Sequence, residues 1–169
     1  MIQRNSKIQR LGLAALVGLA GAHWALAGGF FLTIGSPVAA NVPHVKGAVL
    51  VVRPDGCNEP AKAQITGTAE GIVNGARRSV PLKLTALPTP GVYAVFREWP
   101  AEGVWVVSLT GKYIGATTSA IVPIGPKGFM RESSKFQPRS ASEDEIQASL
   151  KSLNEGTGQE RSSKVAISR

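Results

Sequence analysis

Between residues 46 and 122 short apolar runs are broken by Pro, Gly or Asn-Gly about every 8–12 residues. That spacing leaves little room for long helices. It is the spacing of an antiparallel sandwich or barrel, in which each strand must turn before the next begins. The chain's 19 Gly and 11 Pro supply the turns. Aromatic residues are only 6% of the chain, so the core is built mainly from Val, Ile, Leu and Ala.

The first strand reads as residues 48–53 and ends at Pro54-Asp55-Gly56, where Pro presets φ and Gly accepts a positive φ. Residues 62–73 alternate, with Ala63, Ile65, Gly67 and Ala69 on one face and Gln64, Thr66, Thr68 and Glu70 on the other. This period of two marks a strand with one dry and one wet face. Asn74-Gly75 then predicts a two-residue hairpin turn. The return strand carries Val80, Leu82 and Leu84 inward, and Pro81 on its wet phase marks it as an edge strand. Further strands fall at 92–99, 104–109 and 111–122, with a short seventh near Tyr113. The predicted fold is all-β: an immunoglobulin-like antiparallel β-sandwich of six to seven strands over residues 41–125.

Residues 126–169 hold 8 basic and 6 acidic residues and few large apolar ones. They read as a polar tail with a short helix over 142–153. Ser142 caps it, Glu143, Asp144 and Glu145 complement the helix dipole, and Ile146, Leu150 and Leu153 share one face. That narrow stripe suits docking on the sandwich or on a partner.

The N-terminus addresses the domain. Arg4, Lys7 and Arg10 precede 24 residues, 11–34, without a Lys, Arg, Asp or Glu. A basic start, an apolar run and small residues at a cut junction make an export signal. Ala25-Leu26-Ala27 and Val38-Ala39-Ala40 both fit a cut site. The second removes the whole apolar run and is preferred, which assigns residues 1–40 to the leader. The same run is long enough for an uncleaved anchor, with membrane contact through residues 11–34. Either way the domain lies outside the cytoplasm, periplasmic or extracellular.

Formal net charge is +8. Without the three leader charges, 16 basic residues stand against 11 acidic ones, spread evenly except for Arg77-Arg78. A nucleic-acid partner needs a concentrated basic face, so none is expected.

Candidate chemistry is sparse. The histidines are His23, inside the leader, and His44. Nucleophilic catalysis needs a base beside the nucleophile and a third, orienting group, and no spacing here supplies them. No enzyme activity is therefore expected. Cys57 is the sole cysteine and has no internal disulfide partner. With His44, and with Met130 more remotely, it forms a copper-type donor set, flanked by Asp55 and Glu59. Copper is the one cofactor this inventory admits. Trp105 and Tyr93 fall on the apolar phase of their strands. Trp99, beside Pro100, is expected half-exposed, able to stack on a sugar or a partner. Arg77 and Arg78 beside the Asn-Gly turn are the other candidate partner contacts.

The hairpin Pro90-Gly91-Val92-Tyr93 through Trp99-Pro100-Ala101-Glu102-Gly103-Val104-Trp105 resembles that of FixH/YtkA-like small envelope β-sandwiches. The resemblance implies a non-enzymatic accessory role near metal handling or respiratory assembly. It brings no catalytic residues. The reading that follows is a non-catalytic envelope module acting through protein contacts. A copper-handling carrier and a carbohydrate-binding module are the alternatives.

Overall fold

A computed structural model of the chain describes residues 29–37 and 45–167, with side chains to residue 156. Residues 1–28 of the expected leader, both candidate cut junctions and His44 lie outside the described residues. In chain order the elements are β1 (Phe31–Gly35), β2 (Ala48–Asp55), β3 (Gln64–Val73), β4 (Ala76–Pro81), β5 (Leu84–Ala86), β6 (Tyr93–Phe96), β7 (Val104–Tyr113), β8 (Ala116–Gly125), β9 (Gly128–Phe129), β10 (Lys135–Gln137) and α1 (Glu143–Ile167). The strands form two antiparallel sheets, β1-β2-β6-β5 and β10-β8-β7-β3-β4, with β9 paired to the end of β8. The all-β sandwich is as expected, and residues 41–125 hold seven strands, β2 to β8; among the described residues β1, β9 and β10 add three more outside that range.

The β3–β4 hairpin follows its pattern. Asn74 and Gly75 both take positive φ, as a two-residue turn of this hand requires. Ile65 and Ala69 point into the core, and Val80 returns opposite Ala69. β4 is indeed an edge strand, and it ends at Pro81, which has no N–H to give a further neighbour. Leu82 still donates its backbone N–H to Gly67 O at 3.0 Å, and the chain then crosses to the other sheet as β5.

Between the sheets lies the main core: Leu32, Ile34, Leu50, Val52, Val95, Trp105, Val107, Leu109 and Val122 among others. Trp105 lies flat over β3 because residue 71 is glycine. A Cβ there would meet the indole at 2.4 Å.

β7 is buried on both faces. Val104-Trp105-Val106-Val107 does not alternate, and a continuous apolar run marks a strand covered on two sides. Trp105, Val107 and Leu109 face the other sheet. Val104 and Val106 join Ile121, Ile146 and Leu150 in a second cluster beneath α1, with Leu153 at its margin. The helix stripe therefore docks on the sandwich, and the architecture is sheet, sheet, helix.

Four expectations need correction. Residues 31–35, assigned to the leader, are β1. They pair with β2 from Phe31↔Asp55 to Gly35↔Val51 and bury Leu32 and Ile34. The turn expected at Pro54-Asp55 begins later, because β2 runs through both residues. Pro54 fits a strand there because pairing with β6 has already stopped at Val52. The β7–β8 turn lies at Ile114-Gly115 rather than near residue 110. Residues 126–156 are more than a polar tail with a short helix, since β9 and β10 pair with β8 in the larger sheet and the helix runs beyond residue 153.

Of the two cut sites, only the one after Ala27 leaves β1 on the domain. A chain starting at Gly28 is expected to unfold cooperatively in urea. One starting at Asn41 loses two fully buried side chains, worth about 3–6 kcal/mol before entropy, and is expected to be largely unfolded. Denaturation monitored by circular dichroism checks both.

Candidate functional site

Two groups of charged residues hold the domain together, one around Glu70 and Arg77 and one around Arg139 and Glu145. Glu70 lies on the outer face of β3, only 7% exposed. Ser79 donates to its Oε1 at 2.7 Å, and Arg77 Nη2 donates to its Oε2 at 3.0 Å. Arg77 also reaches α1, donating to Gln147 Oε1 at 2.6 Å and pairing with Glu143 at 2.9 Å. Burial works to raise the Glu70 carboxyl, but hydrogen bonds from Ser79, Thr68 and Arg77 outweigh it and hold the group below its ordinary value. Arg77 is thus the polar pin between β4 and the helix, rather than the free partner contact expected from the sequence.

The helix start is built the same way. Ser142 N donates to Glu145 Oε2 at 2.8 Å, and Glu145 N donates to Ser142 Oγ at 3.3 Å, a reciprocal capping box. Arg139 grips the same carboxylate through two nitrogens, at 2.7 and 2.9 Å. Arg139 and then the Ser142 backbone N–H hold Glu145 far below the usual carboxylate range.

Trp99 is not half-exposed. It is 4% exposed, with its ring 6.1 Å from that of Trp105 and the Arg97 guanidinium 5.8 Å from its centroid. The β6 strand stops at Phe96, which frees the 97–103 connection to fold Trp99 back over the core. The Trp105 indole donates to Glu102 O at 2.8 Å, whereas the Trp99 indole N–H has no partner among the described residues. A ring buried in this way offers no face to a sugar. Arg78, one position along from Arg77, is exposed on the β4 edge.

Cys57 follows β2 and is partly buried. Burial, and then the charge of Asp55, raise its thiol above the ordinary value, the reverse of an activated thiolate. Asp55 itself is held by Thr33 and by Arg53 at 2.9 Å. Val45, the described neighbour of His44, precedes β2, while Cys57 lies past its far end, across about 23 Å of strand. Met130, 40% exposed, follows β9 beside the other end of the sandwich. Among the described residues no group of three or more His, Cys, Asp or Glu is placed to hold a metal ion.

The β7–β8 tip, Ile114-Gly115, has the same backbone as Asn74-Gly75, with φ of +43° at Ile114 and +76° at Gly115. Asn tolerates that region, but a β-branched side chain does so only at a cost of about 1–2 kcal/mol. Ile114 is nevertheless 83% exposed and has no core contact to offset the strain. At the same end, Phe30 stacks on Tyr113 at 5.8 Å and Phe31 is 47% exposed. Ile-Gly is neither of the Asn-Gly and Pro-Gly pairs that mark the other turns.

No family model matches the chain, and no characterised protein or solved structure is significantly similar to it. The resemblance to FixH/YtkA-like sandwiches therefore rests on residues 90–107 and the N-terminal layout, and residues 90–107 are not the expected hairpin, because β6 and β7 lie in different sheets.

Two results are expected from the Arg77 pin. Arg77→Ala should lower stability by about 2–3 kcal/mol in urea titrations, because it leaves Glu70 buried with Ser79 and Thr68 alone. Because the Glu70 carboxyl is depressed in the folded state, its stabilisation is complete above the ordinary Glu value of about 4.3 and is lost as pH falls through the folded value. Glu70→Gln should flatten that acid limb while costing about 1–2 kcal/mol at neutral pH.

Proposed function

We propose that the chain is a non-catalytic, extracytoplasmic accessory module of the cell envelope that works through surface contacts with a protein partner. The observation that carries this reading is the division of labour on the domain. Its buried carboxylate and the arginine beside it brace sheet against helix, while Phe31, Ile114, Met130 and Phe136 are left as large apolar side chains in solvent. Exposed apolar side chains of that kind mark contact surfaces more often than reaction centres. The basic start and uncharged run ahead of β1 support export. Among the described residues no helix is long and apolar enough to cross a membrane, so a tether, where there is one, belongs to the segment before Gly29.

Arg78 remains the charged partner contact of this reading, since it is exposed on the β4 edge while Arg77 is turned to Glu70 and α1. The copper and carbohydrate alternatives have less support, with Cys57 unactivated and Trp99 in the core.

Crosslinked recovery of the tagged full chain from detergent-solubilised envelopes should return one stoichiometric partner. Arg78→Glu should reduce that recovery several-fold without moving the urea midpoint. Recovery of the chain alone, together with a hydrolytic or transfer activity abolished by a point change, would contradict the proposal.

A further inference from the structure

The two ends of the sandwich differ. The end where β1 begins and β2 finishes also carries the β7–β8 tip, as the Phe30–Tyr113 stack shows. It gathers three unusual things. Ile114 is held in a backbone conformation that disfavours it, and its side chain is almost wholly in solvent. Phe31 is half-exposed at the same end, on the strand that pairs with the end of β2. The chain enters the domain here, at Gly29, directly after residues 11–27, 17 consecutive positions without a Lys, Arg, Asp or Glu.

We propose that this end of the sandwich rests on a lipid bilayer, with Ile114 and Phe31 inserted at the headgroup level beside the point where the apolar segment emerges. Only Gly28 separates that segment from the first described residue. Residues 11–28 number 18, within the roughly 17–25 that span a hydrocarbon core. A tether that short holds the Phe31 end against the surface and leaves the opposite end, with Gly35, Ala48 and the β8–β9 turn, facing away.

The electrostatics of this end agree. Its carboxylates are occupied, Asp55 by Thr33 and Arg53, and Glu59 by Lys62 at 2.7 Å. Lys112 stands exposed next to Tyr113 on the tip itself. An apolar tip flanked by an aromatic ring and a lysine is the side-chain set that partitions into an interface. The positive φ also acquires a reason. Asn at position 114 would relax the turn, as Asn74 does in the equivalent hairpin, but would remove the only large apolar group at the tip.

The inference rests on the apolar segment being retained as a tether and is independent of whether a protein partner exists. The test uses the full chain, reconstituted in vesicles of phosphatidylethanolamine and phosphatidylglycerol. Cys57→Ser removes the native thiol. A fluorophore is then placed at Ile114→Cys or, as the far-end control, at Lys127→Cys in the β8–β9 turn. The probe at 114 should be quenched by nitroxide-labelled lipid and be several-fold less accessible to acrylamide than the probe at 127. Equal acrylamide access at both positions overturns the proposal, as does shielding of position 114 that appears only when envelope proteins are added. Failure of the full chain to partition with the vesicles overturns the tether and the inference with it, while leaving partner recovery as a separate result. Ile114→Asn in the same system should raise the thermal midpoint. A fall instead would give the side chain a folding role and overturn the argument from strain.

Discussion

The two-sided burial of β7 is the constraint on which the rest of the structure depends. A strand reading Val-Trp-Val-Val has no wet phase, so each face requires a cover. The smaller sheet covers one face. α1 covers the other, and its Ile146 and Leu150 are buried for that reason. From this requirement follow the capping box that starts the helix in the right place, the Arg139 grip on Glu145, and the Arg77 bridge from β4 to Glu143 and Gln147. Without the helix, a stripe of Val104, Val106 and Ile121 would lie in water beside a buried carboxylate.

This arrangement also decides where function can reside. Side chains that look reactive in isolation, such as Arg77, Glu70 and Trp99, lie in the sheet–helix brace or in the core. What remains for contact is at the periphery: the β4 edge with Arg78, the β10 edge with Phe136, Met130 after β9, and the end of the sandwich where Phe31 and Ile114 are exposed. The end loops carry the irregular backbone, and the regular sheets carry the stability. That is the usual separation between scaffold and working surface.

Much of the sandwich was legible from residues alone. The β3–β4 hairpin follows from its alternation and Asn-Gly, the β4 edge from Pro81, and the helix start from Ser142 with Glu145 three residues on. Three things were not legible, each for a physical reason. Residues 31–34 are apolar enough to serve as leader or as core strand, and only pairing with β2 separates the two. Trp99 sits on no regular strand, so its phase said nothing about its burial. Ile114 breaks the rule by which turns are recognised, and local preferences are expected to fail at sites under another demand. The unbroken Val104–Val107 run requires a second cover, and the Ile146, Leu150 and Leu153 stripe is the helical stripe that supplies it.

The most direct measurement is amide hydrogen exchange across β7 in the full chain and in a chain ending at Arg139. If α1 is the second cover of the strand, its removal takes away the burial of Ile146 and Leu150. β7 should then lose protection by on the order of a hundredfold or more, while β1 and β2 lose less. Unchanged protection of β7 in the shortened chain would show that the strand does not depend on the helix, and would contradict the account at its centre.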